Sequence, residues 1–246
     1  MKNPTTPAPR IASPAEWLAA RLELLRAEKE LTRQRDALAA RRRALPWVRL
    51  AQPYTFATPD GPATLADLFG PRRQLIVYHF MFGPGWGEGC KSCSFVSDHF
   101  DAMLPHLAAR DTALAVVSRA PLDELAPFQQ RMGWRFRWVS SHGSSFNDDF
   151  RVSFTPEELA SGRIRYNYAE MPAFPFEEAP GLSVFVRDAS GGVFHTYSTY
   201  GRGLDHLMNT YNFLDLTPQG RNESALEFPM AWVRYHDAYE PAAVTA

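Results

Sequence analysis

Leu75-Ile76-Val77-Tyr78-His79-Phe80-Met81-Phe82 runs through Gly83-Pro84-Gly85-Trp86-Gly87-Glu88-Gly89 into Cys90-Lys91-Ser92-Cys93, and this stretch decides how the chain is read. Its first eight residues are apolar, β-branched or aromatic almost without interruption, the pattern of a strand buried on both faces. The glycines that follow make a loop. Beyond it, Val96, Phe100, Met103, Leu104 and Leu107 share one helical face, with Asp98, Asp101 and Arg110 elsewhere. Pro105 is expected to kink or divide that helix. A buried strand, a glycine loop and C-x-x-C at a helix start put two thiols where unpaired N–H groups and the positive helix end favour a thiolate. Cys90, nearer the loop, is the candidate nucleophile, expected to titrate below the free value of about 8.5. Cys93, one turn on, is the candidate resolving thiol. Lys91 supports a thiolate at Cys90, whereas Glu88 opposes it.

These are the only two cysteines in 246 residues. Three positions apart, they cannot staple a fold of this length, so their role is local. No run approaches 18 consecutive apolar residues and the first ten are proline-rich and polar, so neither a membrane segment nor an export signal is expected. The expected compartment is the cytoplasm, where thiols stay reduced and a close pair is catalytic, redox-sensing or metal-binding. A zinc site would need His79 and His99 to converge on the pair, because no second cysteine pair exists. Neither a metal nor a bound cofactor is expected, and two inert buried thiols are the plain alternative. The net charge of -1 argues against a nucleic-acid binder.

Outward from the cysteines, the chain divides into an arm, residues 1–47, and a domain, residues 48–246. Ser13-Pro14-Ala15-Glu16 is a capping box with proline at the first helical position, and no Gly or Pro follows until Pro46. Trp17, Leu24, Leu31, Leu38 and Leu45 recur every seven residues, but the complementary positions turn polar at Gln34 and Arg41. The arm is read as a helix packed along its own domain, with a homodimer through this helix as the alternative. In the domain, Tyr54–Phe56 is a strand before a turn at Pro59-Asp60-Gly61, and residues 64–69 form a short helix or turn. Ala113–Val117 and Phe136–Ser140 are strands around a helix at Leu122–Met132. Ser183–Arg187 and Val193–Tyr197 form a hairpin. This order predicts an α/β fold with a mixed sheet flanked by helices on both faces.

Several longer motifs carry a resemblance that C-x-x-C alone would not. They include Glu16-Trp17-Leu18, Glu28-Lys29-Glu30-Leu31-Thr32, Leu45-Pro46-Trp47 and Tyr78–Phe82 leading into Gly89-Cys90-x-x-Cys93-Ser94-Phe95. Ser118-Arg119-Ala120-Pro121, Arg131-Met132-Gly133-Trp134, Phe194–Tyr200 and Trp232–Asp237 follow in order. In these the chain resembles a bacterial thioredoxin-like family of unassigned function, domain of unknown function 899, whose members are often labelled predicted dithiol-disulfide oxidoreductases. The resemblance implies a thioredoxin-like fold. Thioredoxin-like proteins usually place a cis-proline just before the strand facing the redox pair, whereas here Pro180-Gly181-Leu182 puts the nearest proline about two residues away.

The expected function is reversible dithiol-disulfide exchange with a protein or small-molecule disulfide or thiol partner. Neither nucleic acid nor membrane is expected as a partner. The alternatives are a thiol peroxidase of the peroxiredoxin-like type and a redox-sensing or binding module without turnover. Trp86, Lys91 and Arg119 are the substrate-pocket candidates. Arg119 qualifies because ligand sites gather at the carboxyl ends of parallel strands, and because peroxiredoxin-like enzymes use an arginine beside their reactive cysteine. The residues at 84–89 do not reproduce the peroxidatic signature. His195 reads as hydrogen-bonded edge packing, and His79 and His236 as weak further candidates.

Overall fold

The computed structural model describes residues 9–240. The first element is α1 (Pro14–Arg43), opened by the expected reciprocal bonds between Ser13 and Glu16 and closed with Arg41, Arg42 and Arg43 in its last turn, where cations offset the negative helix end. None of its residues is buried, and Trp17, Leu24, Leu31 and Leu38 are all exposed. The boundary between two compact units falls between Pro46 and Trp47. No helix among the described residues is long and apolar enough to cross a membrane.

The second unit begins with β1 (Val48–Arg49), β2 (Thr55–Thr58), β3 (Gly61–Thr64), α2 (Leu65–Leu68) and β4 (Gln74–His79). It continues with α3 (Lys91–Ser97), α4 (Phe100–Ala108), β5 (Thr112–Ser118), α5 (Leu122–Arg131) and β6 (Arg137–Ser140). An insertion supplies α6 (Phe146–Asp149), α7 (Pro156–Ser161), β7 (Ile164–Tyr166) and β8 (Ala169–Met171). The hairpin β9 (Gly181–Arg187) and β10 (Val193–Tyr200) follows, then a 3-10 helix at Gly201–Leu207 and α8 (Asn209–Leu214).

Eight of these strands form one sheet in the order β1-β10-β9-β4-β5-β6-β2-β3. β4, β5 and β6 run parallel, and β9 pairs antiparallel with β4. This is the expected thioredoxin-like mixed sheet with helices on its faces. β4 lies inside the sheet, and alternate side chains go to opposite sides. Leu75 and Val77 join a core with Leu65, Leu68 and Phe146, whereas Tyr78 joins Phe80, Cys93, Val96, Phe100 and Phe128 in the other. The second core also takes Leu204, Tyr211, Val233 and Tyr235 from the C-terminal segment. The cysteine pair and the tail therefore share one face of the sheet.

Three local expectations shift. The strand read through Phe82 stops at His79 because its partner runs out: β9 begins at Gly181, opposite His79, and Phe80 bonds only toward β5, at Val117 O, 2.9 Å. The helix divides at Asp98-His99 instead of at Pro105, which lies inside α4. The Asp98 carboxylate there accepts the Trp134 indole N–H at 2.9 Å and lies 2.7 Å from His236 Nδ1. His195 does not sit on an edge strand. β1 covers β10 with Val48 opposite His195, and a bulge between His195 and Tyr197 breaks the alternation.

Candidate active site at Cys90 and Cys93

The glycine loop delivers Cys90 to the start of α3 and locks it there. Its N–H donates to Met81 O at 3.0 Å, and its carbonyl accepts the Ser94 N–H and hydroxyl at 2.9 and 3.0 Å. Gly89 has no room for a side chain, since a Cβ would stand 2.5 Å from the Phe80 ring. The Tyr235 hydroxyl donates to the Gly89 carbonyl at 2.7 Å, which ties the tail to the loop. Both thiols are free, Cys90 partly exposed and Cys93 buried.

The two sulfurs are chemically unequal. The Cys93 thiol, hydrogen-bonded to the Cys90 sulfur, is the largest influence on Cys90 and brings it down to about 7; backbone N–H groups of Cys93 and Ser92 act in the same direction. Burial, followed by the neighbouring Cys90, pushes Cys93 well up. The Met81 N–H lies 3.5 Å from the Cys93 sulfur. The arrangement favours a thiolate at Cys90 beside a protonated thiol at Cys93. The charges expected to tune Cys90 are engaged elsewhere. Lys91 Nζ sits 5.8 Å from the centre of the Tyr235 ring, and Glu88 pairs with Arg131, which also binds Asp237 at 2.8 Å.

A cavity of about 290 Å³ opens beside the pair. Cys90, Ser92 and Cys93 line it together with the apolar side chains of Met81, Val96, Leu204, Met208 and Met230. Sequence reasoning missed Leu204, Met208 and Met230, which lie in a 3-10 helix, beside a short helix and in an irregular tail, none with a readable period.

Trp86, Lys91 and Arg119 do not line this cavity. The Trp86 indole N–H donates to Glu177 at 3.1 Å. Arg119 binds the same Glu177 at 3.3 Å and Glu178 at 2.5 Å. Glu178 is buried, which raises its carboxyl group above the ordinary value, and it also accepts from Ser153 at 2.6 Å and Asn147 at 3.4 Å. Arg119 thus clasps the insertion to the end of β5. Replacing Arg119 by alanine should destabilise the fold by about 2 kcal/mol, the cost of stripping a buried carboxylate of its cationic partner. The rate at which Cys90 attacks a small disulfide should stay within about twofold of wild type. Urea unfolding and stopped-flow kinetics on the folded variant measure the two effects, and a much slower Cys90 would return Arg119 to the site.

The histidines are also engaged away from the thiols. His79 is buried, its Nε2 lies 2.8 Å from Ser183 Oγ, and burial drives it down to about 3. Ser183 Oγ continues to Ser198 Oγ at 2.7 Å, which meets His195 Nε2 at 2.7 Å. His99 Nε2 lies 3.1 Å from Thr210 Oγ1. Among the described residues no three His, Cys, Asp or Glu side chains gather to hold a metal ion.

With this geometry in place, residues 6–239 match the family described as a bacterial protein of unknown function, DUF899. The chain belongs to that family. No curated protein sequence matches this DUF899 chain. Among solved structures it is similar to peroxidoxin BcpB from Mycobacterium tuberculosis, at 14% identity and a TM-score of 0.40, covering 66% of this chain and 96% of that one. It is also similar to peroxiredoxin Q from Xanthomonas campestris, at 14% identity and a TM-score of 0.45, covering 68% of this chain and 95% of that one.

Proposed function

We propose that this DUF899 protein is a thiol-disulfide oxidoreductase in which Cys90 attacks and Cys93 resolves. The observation that carries the reading is the unequal pair: Cys90 is lowered to about 7 chiefly by the adjoining Cys93 thiol, which itself is held protonated by burial. At neutral pH the Cys90 thiolate attacks one sulfur of a substrate disulfide, and the other sulfur leaves as a thiolate. Cys93 then loses its proton and attacks Cys90, releasing the second substrate thiol. The protein is left as the Cys90–Cys93 disulfide, two electrons poorer, and a thiol or dithiol reductant restores it.

A thiol peroxidase would begin from the same thiolate. The arginine expected beside the reactive sulfur in that chemistry is bound to Glu177 and Glu178 here, which favours exchange. The test is trapping. Cys93→Ser should accumulate mixed disulfides at Cys90 detectable by mass spectrometry, whereas Cys90→Ser should capture none. Failure of Cys93→Ser to capture any disulfide, with turnover unchanged in both variants, would end the proposal.

A further inference from the structure

We propose that the cavity beside Cys90 makes this protein selective for small disulfides carrying an uncharged aliphatic arm. The inference rests on the exchange chemistry above and adds the class of substrate. At about 290 Å³ the cavity is near the lower end of small-molecule sites, which run from about 300 to 1,000 Å³. It has room for a short chain. Because Cys90 and Cys93 form part of its wall, an arm held inside brings its own sulfur against the nucleophile.

The lining decides what that arm is made of. Met81, Met208 and Met230 are soft and adaptable, and with Val96 and Leu204 they offer apolar contact without polar demands. The two arginines at the cavity already have partners. Arg202 pairs with Asp205 at 2.5 Å. Arg221 binds both carboxylate oxygens of Asp215 at 2.8 and 2.9 Å and lies 4.0 Å from the centre of the Tyr211 ring. A carboxylate or ammonium on the arm would lose water and find these charges committed, a costly exchange.

The wall is also fixed in advance. Glu223 accepts from the Met230 N–H at 2.9 Å and the Trp232 indole at 2.7 Å, and it accepts a hydrogen bond from the Tyr211 hydroxyl as well. One carboxylate therefore pins α8 and the tail together around the opening, so little ordering is left for the ligand to impose. In the reaction, the Cys90 thiolate bonds to the arm-bearing sulfur and the S–S bond breaks. The other half leaves as a thiolate and takes a proton from water. Attack by deprotonated Cys93 then frees the arm as its thiol, and a thiol reductant recycles the protein disulfide.

The test uses the full-length reduced protein and a series of alkyl 2-pyridyl disulfides with methyl, butyl and hexyl arms, plus butyl arms ending in ammonium or carboxylate. Stopped-flow release of 2-thiopyridone gives each rate, divided by that of free N-acetylcysteine to remove intrinsic reactivity. Each methylene moved from water into an apolar site is worth about fourfold, so a partly buried hexyl arm should react at least about tenfold faster than methyl. The charged arms should fall to the methyl rate or below. A fast but flat series, or charged arms as fast as butyl, overturns the selectivity while leaving exchange at Cys90 standing. A series no faster than Cys90→Ser overturns both.

Discussion

Removing the Cys93 thiol should slow the first attack by Cys90 as well as prevent resolution. In the wild type, the Cys93 thiol is the leading influence that brings Cys90 down to about 7 from an ordinary 9.0. At pH 7 a thiol of that pKa is about half ionised, and one at its ordinary value about 1% ionised, so losing the whole depression cuts the reactive fraction about 50-fold. Nucleophilicity moves the other way. With a Brønsted slope of about 0.45, a rise of two pKa units makes each thiolate about eightfold more reactive. The backbone N–H groups of Cys93 and Ser92 remain in Cys93→Ala, so the net expectation is an attack on a small aromatic disulfide up to about sixfold slower at pH 7, with the midpoint of the pH–rate curve moved from about 7 toward 9. Cys93→Ser keeps a hydroxyl donor and should lie between the two. Single-turnover stopped flow across pH 6 to 10 reads both quantities. An unmoved midpoint in Cys93→Ala would assign the depression to the backbone N–H groups of α3 instead.

The pair was legible because everything that marks it is local. The apolar run of β4, the glycines of the loop and the helical period after Cys93 are patterns of neighbours in sequence, and they place the thiols without knowledge of the rest. What completes the site is remote. Tyr235 reaches Gly89 across 146 positions, and Glu178 reaches Arg119 across 59. Neither contact leaves a periodic trace, so Arg119 looked available at a strand end when a buried carboxylate already held it. The cavity wall failed for a related reason. Leu204 lies in a seven-residue 3-10 helix, Met208 next to the short α8, and Met230 in an irregular tail, too little regular structure for a buried face to show as a repeat. The β2–β3 hairpin was missed because Gly61 and Pro62 look like loop, yet β3 ends the sheet, where a proline without an N–H is tolerated.

Acid should destabilise the fold through His79. The ring is enclosed, stacked at 5.5 and 5.7 Å on Phe146 and Phe150, with Nε2 on Ser183 and Nδ1 lacking a partner. Burial, and then proximity to His195, holds it down to about 3 against an ordinary 6.5. Between those values the unfolded chain binds a proton at this position and the folded protein does not. The stabilising contribution is therefore whole above about 6.5 and is lost as pH falls toward 3, at about 1.4 kcal/mol per pH unit. By pH 4 the loss reaches about 3 kcal/mol, a large share of the stability of an ordinary domain. His195, also lowered by burial, adds in the same direction, whereas Glu178, raised by burial, opposes it. The clean measurement is accordingly a difference. His79→Phe keeps an aromatic ring against Phe146 and Phe150 but cannot take up a proton. Urea unfolding of both proteins from pH 7.5 to pH 4 should show the wild type losing about 3 kcal/mol more than the variant over that range. Parallel curves would mean that His79 takes up its proton in the folded protein, and the buried chain from His79 through Ser183 and Ser198 to His195 would then have to accommodate an imidazolium.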